Sequence, residues 1–88
     1  MDTIHYLARI REASVSADSI TVRLRDGRTI GVPLNWFWRL EDASPAHRQN
    51  FEIIGNGVGI HWPEIDENLS IEGILAGRRS SRPTHQTV

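Results

Sequence analysis

Cysteine and lysine are both absent from this sequence. Without cysteine the chain can form no disulfide framework, zinc ribbon or thiol nucleophile, so a domain of this size must fold on apolar packing alone. Such a chain suits a reducing compartment, and we expect a cytoplasmic protein. Its first residues, Met1–His5, have neither the basic region nor the long apolar run of a signal peptide.

The positive charge is carried entirely by ten arginines and is nearly balanced by eleven acidic residues. The two signs are segregated along the chain. Residues 1–40 hold six arginines and four acidic residues, residues 41–77 hold one arginine and seven acidic residues, and residues 78–88 hold three arginines. A charged partner of either sign could therefore find a complementary segment, although the formal net charge is only −1.

The length of 88 residues allows one small domain. Its composition, 39% hydrophobic and 24% charged, is that of an ordinary globular domain. We predict a single domain over residues 1–77 and a flexible basic tail over residues 78–88, because the tail is polar and has no hydrophobic period. So short a chain leaves little interior for a buried active site, and we expect function on exposed faces.

Alternating apolar residues dominate the first part of the chain. The period of two over Ile20–Arg25 predicts a strand, and Asp26-Gly27 predicts a type I′ hairpin turn with two positive φ angles. The returning strand, Arg28–Val32, ends at Pro33, which has no N–H to donate. With a further strand over Leu7–Val15, the pattern predicts a three-stranded antiparallel meander.

The rest of the chain predicts two short helices and a second hairpin, after a stretch at residues 34–40 with no clear period. Serine side chains cap the N-termini of both helices. Proline occupies the first position of one helix, glycine follows the last position of the other, and a Gly-Asn-Gly turn joins the hairpin strands. The predicted elements are a helix from Ser44-Pro45 to Asn50, strands Phe51–Ile54 and Val58–Trp62, an acidic connection Glu64–Leu69, and a helix Ile71–Ala76 between Ser70 and Gly77. The predicted fold class is a small single α+β domain.

The densest group of potential metal ligands and acid–base groups is His61, Glu64, Asp66 and Glu67. Pro63 interrupts any helical His-x-x-Glu face, and no phosphate-binding loop or nucleophile motif accompanies the group. Loop carboxylates commonly cap backbone N–H groups instead. We therefore predict no enzyme, cofactor or metal site, and keep a metal-dependent enzyme using His61, Glu64 and Asp66 as an alternative.

Four arginines on the predicted meander form a candidate nucleic-acid face. Arg9, Arg11, Arg23 and Arg25 alternate with apolar residues on two strands, and arginine suits phosphate recognition. The net charge of this region is low for phosphate-driven binding, and cross-strand ion pairs are the ordinary alternative. Nucleic acid is therefore an alternative partner, and a nucleic-acid-binding or regulatory accessory domain that uses this arginine-lined sheet face is an alternative function.

Three consecutive aromatic residues, Trp36, Phe37 and Trp38, precede Arg39. They cannot all point inward from one helix or strand, so at least one is expected to be exposed. Exposed tryptophan beside arginine is typical of protein interfaces. We therefore predict partner contact at Trp36, Trp38 and Arg39, with another protein as partner, no membrane contact, and a second copy of the chain as an alternative.

A longer motif gives a family resemblance over residues 8–77. Its centre is the run Ile60–Ile71, which contains His61, Trp62, Pro63, Asp66, Glu67, Leu69 and Ser70. The flanking matches are Asp26-Gly27-Arg28, Val32-Pro33-Leu34, Arg39-Leu40, Ala43-Ser44-Pro45, Arg48 and Gly73–Gly77. The chain thereby resembles the bacterial domain-of-unknown-function family numbered 2442. It departs from the family at Trp38, where proline is common, and at Asn68, where aspartate is common.

The resemblance implies a small α+β domain of paired hairpins and short helices, sometimes fused to a helix-turn-helix domain. It also implies a gene neighbour, a small protein of the family numbered 4160, and hence a toxin–antitoxin-type pair in which this chain is the antitoxin. No catalytic residue is established for that family, so none is carried over. The expected partner is accordingly the product of an adjacent gene.

Overall fold

The computed structural model describes residues 8–80, which form two small antiparallel sheets and short helices. Each sheet has three strands, which pair in the order in which they follow one another along the chain. The predicted α+β class is confirmed. In chain order the elements are β1 (Ile10–Val15), β2 (Ser19–Leu24), β3 (Thr29–Pro33), a 3-10 turn (Leu34–Trp36), α1 (Trp38–Asp42), α2 (Pro45–Gln49), β4 (Glu52–Ile54), β5 (Gly59–Trp62), β6 (Glu67–Ser70) and α3 (Ile71–Leu75).

The first sheet is the predicted meander. The alternating residues of β2 are buried, with Ile20, Val22 and Leu24 at most 1% exposed. A bulge at the start of β1 shifts the register between Ile10 and Glu12. Leu7, which was assigned to the first strand, lies outside the described residues.

The turn between β2 and β3 differs from the prediction of a type I′ turn. Only Gly27, at φ 95°, has a positive φ, and its N–H bonds to the carbonyl of Leu24. The Leu24 N–H in turn bonds to the carbonyl of Arg28, which makes a three-residue loop with glycine in the left-handed position. The Asp26 side chain accepts the Arg28 N–H at 2.9 Å, and this bond lowers the pKa of Asp26. That bond favours the longer loop over the two-residue turn.

Side-chain caps begin α2 and α3 as predicted. The Ser44 hydroxyl accepts the N–H of His47 at 3.1 Å, and the Ser70 hydroxyl accepts the N–H of Gly73 at 2.9 Å. Gly77, at φ 73°, closes α3 in the left-handed conformation.

The second sheet has one strand more than predicted. The connection Glu64–Leu69 was predicted to be a loop, which is wrong for its second half, because Glu67–Ser70 pairs with β5 as β6. Leu69 is the only apolar residue of β6 and no residue in it is β-branched, so its own propensity for a strand is weak. The strand forms because its backbone pairs with β5 and because Asp66, with a left-handed φ of 52°, turns the chain back towards β5.

The two sheets meet beside β1 and share one hydrophobic core. The Ile10 N–H bonds to the carbonyl of Gly57 at 2.8 Å, and the Gln49 side chain donates to the carbonyl of Val15 at 2.7 Å. Ile60 and Trp62 of β5 lie in the same buried cluster as the β2 residues. The second hairpin is therefore held against the edge of the meander.

Three residues assigned to the flexible tail make specific contacts. The Arg78 N–H bonds to the carbonyl of Gly73, the Arg79 guanidinium stacks on Trp36, and the Ser80 N–H bonds to the carbonyl of Trp36. The rest of the predicted tail, residues 81–88, lies outside the described residues. Within the described part of the chain, no helix is long and apolar enough to cross a membrane.

Candidate functional site

The four arginines of the predicted nucleic-acid face do not share one surface role. Arg9 and Arg25 both reach the second hairpin, where they donate to the Asn56 carbonyl and side-chain oxygens at 3.3 and 2.8 Å. Arg23 instead lies 3.6 Å from the Glu12 carboxylate, which stands opposite it in the sheet. Arg11 is exposed next to the β1 bulge.

The acidic group around β6 is held by structural contacts. His61 Nδ1 lies 2.7 Å from Asn68 Oδ1, and the Glu64 carboxylate lies 3.3 Å from His47 Nε2. The backbone carbonyl of Asp66 accepts a 2.6 Å hydrogen bond from Arg39. Among residues 8–80, no three histidine or acidic side chains are placed to hold a metal ion together.

Glu67 is the acidic residue of this group whose titration is perturbed upwards. Burial raises the pKa of its carboxyl, while the Asn68 N–H, bonded to Oε1 at 2.9 Å, and the charge of Arg39 act in the opposite direction. Glu67 is half-buried at the start of β6, next to the turn that Arg39 holds. The folded protein therefore holds a proton on Glu67 more tightly than a solvent-exposed glutamate does.

The centre of the family motif builds the core of the second sheet. Trp62 is fully buried, donates from Nε1 to the Arg48 carbonyl at 3.0 Å and packs against the Phe51 ring. Pro63 begins the turn to β6, Leu69 is 9% exposed, and Ser70 caps α3. These four motif residues have structural roles.

The three consecutive aromatic residues are not all buried, as their spacing predicts. Phe37 is buried at 4% exposure, and Trp36 and Trp38 on either side of it are half-buried. A guanidinium lies over each tryptophan: Arg79 is 4.1 Å from the ring of Trp36, and Arg39 is 5.2 Å from that of Trp38. The predicted partner contact at Trp36, Trp38 and Arg39 stays a prediction, and these side chains already have contacts within the chain.

A separate apolar groove runs between the second hairpin and α3, and we call it the α3 groove. Val58 and Leu75 line it and remain 40% and 43% exposed, and its volume is about 620 Å³. The residues that line it are Ala8, Arg9, Val58, Ile71, Glu72, Leu75, Ala76 and Arg78. Apolar side chains that stay exposed within a concave groove make that groove a candidate binding surface.

The sequence does not predict the α3 groove, because the hydrophobic period of each element predicts that Val58 and Leu75 are buried. Val58 shares the parity of Ile60 and Trp62, which are buried. Leu75 lies one helical turn after Ile71, which is also buried. The sequence pattern shows that both are apolar, but only the tertiary structure shows that no described element covers them.

Comparison with known proteins places this fold in a family. A protein of unknown function from Rhodospirillum rubrum ATCC 11170 has a crystal structure similar to this one, with a TM-score of 0.72 and 33% identity over 84% of this chain and 92% of that chain. The solution structure of an uncharacterized protein from Chromobacterium violaceum shares the fold, with a TM-score of 0.69 and 24% identity over 83% of this chain and 69% of that chain. No curated protein matches the chain significantly.

The family resemblance predicted from the motif is confirmed by the match to a family model. The model for "Protein of unknown function (DUF2442)" matches residues 10–80, which include both sheets and all three helices. The chain belongs to this family.

Proposed function

We propose that this domain is a non-enzymatic protein-binding module whose partner covers the α3 groove. The observation that carries the proposal is the exposure of Val58 and Leu75, which both line a groove of about 620 Å³. Each square ångström of such apolar surface that a partner removes from water contributes about 25 cal/mol of transfer free energy, which offsets part of the entropy cost of association. A protein segment that fills the groove would therefore gain binding free energy from surface that is already in place.

The roles of the acidic residues support binding over catalysis. The histidine and carboxylate side chains near β6 contact Asn68, His47 and Asn50, and Arg39 holds the turn between them. An enzyme needs a nucleophile or base within hydrogen-bond reach of a reacting group. His47, Glu64 and Asp66 line a shallow surface pocket, but His47 and Glu64 contact each other there at 3.3 Å. The α3 groove has an apolar floor, and the acidic residue that lines it is Glu72.

We propose more specifically that the chain is the antitoxin-type member of a two-component pair. Its support is the family membership, since the family resemblance implies an adjacent gene for a small partner protein. Nucleic-acid binding has less support, because Arg23 lies against the Glu12 carboxylate and Arg25 donates to the Asn56 side chain, so the four arginines do not form one positive face. An antitoxin-type protein inactivates its partner by binding to it, and a domain with a binding groove and no catalytic role suits that task.

Affinity purification from a native extract tests the proposal. The wild-type chain should recover one protein in stoichiometric amount, and V58S and L75S should recover much less of it while remaining folded. I53S is the matched control, because Ile53 is 37% exposed on β4 but does not line the groove. The proposal fails if no stoichiometric protein is recovered, or if the groove variants recover as much as the control does.

A further inference from the structure

We infer that the partner segment in the α3 groove is acidic, with apolar side chains on one face and carboxylates along its borders. This inference rests on the proposed function and names the chemistry of the partner. Arg9 and Arg78 line the groove together with one acidic residue, Glu72. The groove therefore combines an apolar floor with a net positive rim.

The rim arginines, Arg9 and Arg78, have no carboxylate partner in the part of the chain that the structure describes. The Arg9 guanidinium donates to the backbone carbonyl of Asn56, which holds it in position without neutralising it. By contrast, Arg28 on the meander contacts the Asp26 carboxylate at 2.7 Å.

The positions of the two arginines suit a segment that lies along the groove. Arg9 directly precedes β1, whereas Arg78 follows α3, with Val58 and Leu75 also lining the groove. A guanidinium binds a carboxylate through two parallel hydrogen bonds, which adds orientation to affinity. A segment with leucine-like side chains facing Val58 and Leu75 would place carboxylates within reach of the rim, whereas a basic segment would meet like charge.

Three labelled peptides of about 12 residues, roughly three helical turns, probe this chemistry. Their leucines occupy identical positions along one face, and the bordering positions are all Glu, all Gln or all Lys. Binding to the full chain is measured by fluorescence anisotropy at low and high salt. We expect the Glu peptide to bind about tenfold more tightly than the Gln peptide at low salt, with the difference shrinking at high salt, and the Lys peptide to bind least.

Paired arginine variants locate the effect. R78Q should weaken the Glu peptide about threefold to fivefold and leave the Gln peptide unchanged. R79Q is the matched control: it removes the same charge one residue away, but Arg79 lies over Trp36 and does not line the groove. It should leave the binding of both peptides close to that of the wild type.

The outcomes separate this inference from the proposed function. Equal binding of the Glu and Gln peptides, or stronger binding of the Lys peptide, would overturn the acidic partner while leaving an apolar binding groove. Failure of all three peptides to bind would overturn both proposals. A dimer seen by sedimentation equilibrium and abolished by L75S would assign the groove to a second copy of the chain and would also overturn the inference.

Discussion

At the scale of single residues, Trp62 and Arg48 connect three parts of the fold. The Trp62 ring is fully buried, and its Nε1 donates to the backbone carbonyl of Arg48. The Arg48 guanidinium reaches back to α1, where it donates to the carbonyls of Leu40 and Glu41 at 2.8 Å each. A buried indole N–H needs such a partner, so the match of both residues to the family motif has a physical explanation in packing.

Replacing Trp62 with phenylalanine should lower the free energy of unfolding by about 2–4 kcal/mol. The variant loses the hydrogen bond to Arg48 and leaves a cavity where the second ring of the indole lay. Urea denaturation followed by circular dichroism measures the change. W36F is the control, since Trp36 is only half-buried and should cost less. Equal losses in the two variants would contradict this role of Trp62.

Glu67 gives the molecule a specific pH dependence. Burial raises the pKa of its carboxyl above the ordinary value of 4.5, so the folded state holds the proton more tightly than the unfolded state does. The stability it contributes is therefore present below that ordinary value and is lost as pH rises through the raised folded pKa. In E67Q this loss should be absent, while the side-chain oxygen still accepts the Asn68 N–H.

The measurement is the free energy of unfolding of both proteins between about pH 4 and about pH 7, a range that starts near the ordinary pKa of glutamate. The wild type should lose stability relative to E67Q as pH rises across this window. If the two profiles run parallel, the raised pKa of Glu67 does not contribute to stability.

At the scale of elements, the sequence predicts the helices and strands that begin or end at a proline or at a capping side chain. Pro33 ends β3, and Ser44 and Ser70 cap helices, because a missing N–H or a capping oxygen acts locally. β6 could not be predicted, because its four residues depend on pairing with β5. The turn at Gly27 was mispredicted for a related reason: the Asp26 side chain bonds to the Arg28 N–H and favours a longer loop.

A pair of glycines tests the contact between the two sheets. Gly27 and Gly57 have similar φ angles, 95° and 93°, so alanine is strained at both by about 1–2 kcal/mol. A Cβ at Gly57 would in addition lie 2.7 Å from the carbonyl oxygen of Ile10 and 2.9 Å from the Cβ of Arg9, whereas Gly27 has open space. We expect G57A to be less stable than G27A by about 1–3 kcal/mol in denaturant unfolding. Equal stabilities would mean that the sheets are not packed this closely.

At the scale of the whole molecule, the fold brings charged residues from distant parts of the chain together. Arg9 from the basic first part of the chain and Arg78, the first residue after the acidic part, line the same groove, although 68 residues lie between them in the sequence. The sequence alone showed both signs of charge but not which side chains the fold brings together. The groove itself depends on the absence of a described element over Val58 and Leu75, which no local pattern encodes.

If the α3 groove is the binding surface, the affinity for the partner depends on Leu75 and not on Ile53. The protein recovered with the wild-type chain is titrated calorimetrically into wild-type, L75S and I53S proteins of verified stability. We predict a Kd for L75S at least about tenfold weaker than that of the wild type, as expected for an apolar residue at the centre of an interface, and little change for I53S. Equal affinity of the wild type and L75S would contradict the account.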